Sequence, residues 1–246
     1  MDEVLNLRDK IDIEDANAIY AAIQKLAEVL GHKLPNEQLM PFLETLMEGL
    51  TDPQNQCSAG ACVVMKTIIE NRGAELSAHV NSLLSSLHKK LEVITHPQTR
   101  TGTLRAVRGL VNHHTERALT HLLLRPLPLD SATLDTWEVI GQDARLTAIL
   151  MATGIEMLRQ GLPYDERTDN NRTIRHCTHQ SMALTVILTA LVKGEAALPV
   201  VEANYHRLLA VMMAMVALTA NARPPQNPAK DEEGRPVKAR AGSMVS

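Results

Sequence analysis

Apolar side chains recur every three or four residues over most of this chain, the period of a helix with one buried face. Ile19, Ile23, Leu26 and Leu30 predict an amphipathic helix over 14–30, stopped by Gly31. Leu39, Phe42, Leu43, Leu46 and Leu50 form the next face, with Glu44, Thr45 and Glu48 opposite. Asp52-Pro53 reads as a helix start: Asp accepts from free backbone N–H groups, and Pro at the first helical position gives up no bond. The helix that follows, ended by Gly73, carries two apolar stripes. Ala59, Cys62, Val63 and Ile69 form one, and Ala61, Val64, Met65 and Ile68 the other. Two stripes predict burial on two sides, against a partner helix and neighbouring units.

Leu76, Val80, Leu83, Leu84, Leu87, Leu91 and Ile94 predict a helix over 76–94 with a solvated face of Asn81, Ser82, Ser85, Ser86, Lys89 and Lys90. His96-Pro97 breaks it, and 98–112 follow as its partner through Leu104, Val107, Leu110 and Val111. A shorter helix spans 115–124, and Arg125-Pro126-Leu127-Pro128 makes a connector that no helix can cross. Helices over 131–141 and 144–160 take Asp130 and Asp143 as caps and end at Gly161-Leu162-Pro163. The polar stretch 162–173, LPYDERTDNNRT, reads as a loop. A last pair spans 175–193 and 199–221, joined at Gly194. No segment reads as a strand.

Helix, turn, helix is thus the order throughout. It predicts an all-α, HEAT/armadillo-like α-solenoid of about four to five helix pairs, each of roughly 35–45 residues. A compact irregular bundle is the structural alternative, since no residue recurs strictly from unit to unit. The expected organisation is a helix or capping unit at 1–33, repeats at 34–222 and a disordered tail or linker at 223–246, where Pro, Gly and charge dominate. The most apolar run, Leu208 to Leu218, is shorter than the roughly 20 residues of a membrane span and reads as a buried helix. As the last helix of a solenoid it is unusually apolar for an end and would be exposed if nothing followed.

Composition narrows the function. Hydrophobic residues make up 45% but aromatics only 2%, so Leu, Ala, Val, Ile and Met build the core and flat rings for stacking sugars or bases are scarce. A net charge of −3 supplies no global attraction to nucleic acid. Three cysteines give no disulfide framework, and the charged start MDEVLNLRDKIDIED lacks the apolar core of a secretory signal, so the expected location is cytoplasmic.

No residues stand out as catalytic, and no cofactor or metal is expected. GxxxxGK[ST], GxGxxG, GxSxG and HExxH are all missing from the sequence. His176, Cys177 and His179 lack a further ligand pair nearby and read as a polar helix end. Cys57 and Cys62 point apart on one helix and read as small core residues. Asp165, Glu166 and Asp169 read as a solvated loop. Asn171-Arg172-Thr173 matches a glycosylation acceptor without a secretory route to use it.

One feature points to binding. Between 88 and 125, Lys89, Lys90, Arg100, Arg105, Arg108, Arg117 and Arg125 face only Glu92 and Glu116, with His88, His96, His113, His114 and His121 among them. Arg105 and Arg108 share a helix face. Lys89, Lys90, Arg105, Arg108 and Arg117 are the candidate partner-binding residues, unless they form an ordinary solvated face. The expected function is a non-enzymatic scaffold or adaptor for another protein. The alternatives are peripheral association with an anionic membrane surface and a structural spacer within a longer solenoid.

Residues 34–80, LPNEQLMPFLETLMEGLTDPQNQCSAGACVVMKTIIENRGAELSAHV, resemble a segment of the maestro heat-like repeat proteins, as do 125–166, RPLPLDSATLDTWEVIGQDARLTAILMATGIEMLRQGLPYDE. The likeness spans about 34–222, and its markers are the EGLTDP turn, the NRG helix end, the PLPLDS connector with Trp137, and DARLTA. The resemblance implies a long all-helical solenoid not known as an enzyme, of which this chain is a piece. It transfers no functional residue, because the family has no agreed active-site motif. It also raises lysosomal membrane and, less so, the nucleolus as places where single members associate.

Overall fold

A computed structural model describes residues 16–169 and 172–225. Ten α-helices occur among the described residues. They are α1 Ala16–Lys33, α2 Asn36–Gly49, α3 Asn55–Arg72, α4 Val80–Val93, α5 Pro97–His113, α6 Thr115–Leu123, α7 Ser131–Ile140, α8 Ala144–Gln160, α9 His179–Leu191 and α10 Leu198–Thr219. The chain divides into two compact units, Met1–Ala118 and Leu119–Ser246.

In the first unit α1, α3 and α5 form one layer: α3 packs on α1 and on α5, while α2 backs α3 and α4 backs α5. Both stripes on α3 are used as their spacing predicts. Cys62 and Ile69 face Gly102 and Gly109 of α5, and Ile68 faces Gly31 of α1. Gly102 is required by this approach, because a Cβ there would lie 2.5 Å from the Cys62 sulfur. Leu43, Leu50, Met65, Ile68, Ile69, Leu84, Leu87, Leu91 and Leu110 fill the core. Fully burying one such side chain is worth about 1.5–3 kcal/mol.

A recurring hydrogen-bond offset marks the repeat. Ser58 Oγ meets Thr99 Oγ1 at 3.0 Å, 41 residues on, and the Cys62 thiol meets Thr103 Oγ1, again 41 residues on. Arg72 donates to the Gly31 and Leu34 carbonyls, 41 and 38 residues away, and the His114 Nε2 lies 2.7 Å from the Gly73 carbonyl, 41 residues away. The sequence repeats too weakly to show this period, but the contacts keep it, within the ~40–47 residues of HEAT and armadillo units.

In the second unit α9 packs on α7 and α8, and α10 on α8. The caps fall where the sequence places them: the Asp130 carboxylate accepts from Thr133 N at 2.7 Å and Asp143 from Leu146 N at 3.0 Å. The turns that follow α7 and α9 meet backbone to backbone, and a Cβ on Gly194 would overlap the Gly141 carbonyl. The Leu127–Pro128 peptide is cis.

Several expectations are corrected. The stretch 162–173 is not a loop: Tyr164–Asp169 (β1) and Arg172–Cys177 (β2) pair antiparallel, Tyr164 opposite Cys177. Helix α9 therefore begins at His179 rather than 175, and Thr178 caps it by accepting from Ser181 N. Helix α1 runs past Gly31 to Lys33, and although Gly73 ends α3 as expected, a 3₁₀ stretch over Gly73–His79 follows, so α4 begins at Val80 rather than 76. Asp52 precedes the helix start and accepts from Gln54 N at 2.8 Å, so α3 begins at Asn55. Cys57 is exposed, whereas Cys62 is buried. Helix α10 is largely open rather than buried: among its residues Val211 and Met215 alone are buried. Arg223, the first residue of the expected tail, pairs with β2 through Cys177 N and Arg175 O. Residues 1–15, most of that tail and Asn171 of the acceptor pattern lie outside the described residues.

Candidate functional site

The structure splits the basic band of the sequence into cations with internal partners and cations without them. Lys90 on α4 pairs with Glu48 of α2 at 2.9 Å. Arg100 donates to the Leu91 carbonyl, and Arg117 to the Ser77 carbonyl. The His113 Nε2 lies 3.1 Å from the Glu70 carbonyl, and His114 sits on Gly73 as described. The Leu91 carbonyl lies in the last turn of α4, and the Glu70, Gly73 and Ser77 carbonyls end α3 or belong to the 3₁₀ stretch after it, where helix geometry leaves acceptors without backbone partners. Arg72 does the same for the end of α1, held in turn by Glu75, whose hydrogen bond raises the Arg72 pKa and lowers that of Glu75. In the second unit Arg125 pairs with Asp130 at 2.9 Å. His88 is fully buried, its Nδ1 2.9 Å from the Leu84 carbonyl.

Lys89, Arg105 and Arg108 remain. None has a hydrogen bond or ion pair among the described residues. Lys89 is exposed on α4. Arg105 and Arg108 lie one turn apart on the face of α5 that also carries Gln98, Thr101 and Asn112, at the edge of its contact with α3. Of the five nominated residues, Lys90 and Arg117 hold internal partners, whereas Arg105 and Arg108 lie one turn apart on α5.

Sequence reasoning missed what Arg105 faces. It lines a cavity of about 510 Å³ together with Tyr20 of α1 and Lys66 of α3. Lys66 is distant from Arg105 in sequence and sits among apolar residues. The 41-residue offset, which places α3 against α5, is the signal that joins them. Cys62 lies at the base. Burial raises its pKa, outweighing the hydrogen bond from Thr103 and the charges of Lys66 and Arg105, so the group stays a neutral thiol.

The remaining candidates are placed as follows. His176 and Cys177 belong to β2, with the His176 Nδ1 3.2 Å from the Pro224 carbonyl. His179 opens α9, where burial pushes its pKa down against a hydrogen bond that its ring donates to the Arg125 backbone carbonyl. Glu166 pairs with Arg175 at 3.0 Å, and Arg175 lies over the Tyr164 ring. Among the described residues no three His, Cys, Asp or Glu side chains converge to hold a metal, and no helix is long and apolar enough to cross a membrane.

Comparison with known proteins gives a coherent picture. The family model for Maestro HEAT repeats matches residues 1–151. Maestro heat-like repeat-containing protein family member 1 from Homo sapiens is 27% identical over 233 residues, covering 92% of this chain and 14% of that protein. The Dictyostelium discoideum protein of the same name is 27% identical over 222 residues, covering 89% and 14%. The Caenorhabditis elegans homolog is 30% identical over 142 residues, covering 57% and 8%. The chain thus spans about one seventh of the length of the first two relatives.

Proposed function

The chain belongs to the Maestro HEAT-repeat family, and from that footing we propose that it is a non-enzymatic helical-repeat scaffold that binds another protein through the open face of α5. One observation carries the reading: Arg105 and Arg108 stand one turn apart with no ion pair among the described residues, while neighbouring cations are spent on internal acceptors. A guanidinium is planar and weakly hydrated, and it pairs with carboxylates through two parallel hydrogen bonds. Two such groups at helical spacing suit an acidic protein surface. Lys89, Lys90 and Arg117 fall outside this surface and take no part in it.

The test is partner capture with the immobilised chain, the Arg105→Glu/Arg108→Glu variant and a Lys89→Glu control. A saturable set of proteins lost only from the double variant supports the scaffold. Identical sets from all three remove this face from the account. Salt-sensitive binding to anionic vesicles with no protein captured would assign the same cations to a membrane surface instead.

A further inference from the structure

Building on that reading, we infer that the cavity framed by α1, α3 and α5 receives the carboxylate of a single Asp or Glu side chain, flanked by an apolar residue, from an acidic segment of the bound protein. The lining has two chemistries. Lys66 and Arg105 supply two positive charges, and no Asp or Glu is among the lining residues. Val63 and Pro97 supply apolar wall, and the half-exposed Tyr20 ring and the Thr101 hydroxyl complete the rim.

Both cations are available. Arg105 has no partner among the described residues, and Lys66 is tied only to Glu70, one turn away on the surface at 3.6 Å. An exposed pair of that kind holds its lysine weakly. The thiol at the base does not cancel the charge, because burial keeps it protonated. The cavity is larger than one carboxylate needs, and its apolar wall has no use for a free inorganic ion. An acidic side chain with an aliphatic neighbour satisfies both parts: the carboxylate meets the Arg105 fork and the Lys66 ammonium, and the neighbour covers Val63 and Pro97.

Fluorescence anisotropy on the whole chain tests this with three labelled dodecapeptides. One alternates Glu and Leu, one replaces Glu by Gln, and one replaces Glu by phosphoserine. The Glu peptide is expected to bind and the Gln peptide to fail. Lys66→Gln and Arg105→Gln are each expected to weaken the Glu peptide about tenfold or more, the factor carried by loss of one charge-assisted hydrogen bond. Arg108→Gln, outside the cavity, is expected to weaken it less, and equal thermal midpoints establish that all three variants fold. No binding of the Glu peptide up to about 1 mM, equal binding of Glu and Gln peptides, or indifference to Lys66→Gln overturns the cavity assignment. Tighter binding of the phosphoserine peptide than of the Glu peptide overturns the carboxylate in favour of a phosphate. If partner capture still depends on Arg105 and Arg108 while Lys66→Gln changes nothing, the cavity fails and the scaffold reading stands.

Discussion

Helix α3 and helix α10 are both long and both rich in apolar residues, yet α3 has eight buried residues and α10 has two. The difference lies in neighbours. Helix α3 has α1 on one side, α5 on the other and α2 behind it, so every stripe meets a surface. Helix α10 packs on α8 and, among the described residues, leaves Tyr205, Leu209, Met213 and Val216 exposed at 59%, 44%, 64% and 70%. Those four positions follow the same helical spacing as the α3 stripe through Ser58, Cys62 and Ile69 that α5 covers. A solenoid helix is thus made to be covered on both sides, and hydropathy alone does not say whether it has been.

The largest effect that tests this comparison is on stability. Ile68→Ala in α3 is expected to cost about 2–5 kcal/mol, because it opens a cavity in a core that cannot fully collapse. Met213→Ala in α10 is expected to change stability by less than about 0.5 kcal/mol. Urea unfolding measures both, and equal losses would show that α10 is covered after all.

A smaller effect sharpens the contrast between caps. Asp130 closes α7 by accepting from Thr133, whereas Gln54, which precedes α3, makes no side-chain cap. Asp130→Ala is expected to cost about 1 kcal/mol at neutral pH. Burial raises the Asp130 pKa, but the hydrogen bonds from Thr133 and the Arg125 charge win and hold it below its ordinary value of 3.8. A depressed carboxylate stabilises the fold above its unfolded pKa and loses that effect as pH falls through the folded one. The gap between the native chain and Asp130→Ala is therefore expected to close below about pH 4, and a gap that persists there contradicts the cap's charge.

Much of the fold was legible in the sequence because apolar spacing and helix caps are local signals. The two stripes of α3, Asp130 and Asp143 are of this kind. The hairpin was not legible: Tyr-Asp-Glu-Arg-Thr-Asp is almost wholly polar, and its pairing with Arg172–Cys177 leaves little buried to register as alternation. The Asn170-Asn171 pair between the two runs was the available hint, since Asn suits two-residue hairpin connections. The basic band was legible as composition but not as a surface. Which arginine reaches a carbonyl depends on the residue some 41 positions earlier, and nothing in a local window reports that.

Side chains of one stretch divide in two: His114 and Arg117 tie one helix pair to the next, whereas Arg105 and Arg108 have no ion pair among the described residues and are proposed to meet a partner. Urea unfolding of two double variants tests that division most directly. Arg100→Ala/His114→Ala is expected to lose about 1–3 kcal/mol, since helix-end carbonyls are left without donors. Arg105→Ala/Arg108→Ala is expected to stay within about 0.5 kcal/mol of the native chain. A loss as large for Arg105 and Arg108 as for Arg100 and His114 would mean that those two arginines also hold the fold, and would contradict their assignment to a partner.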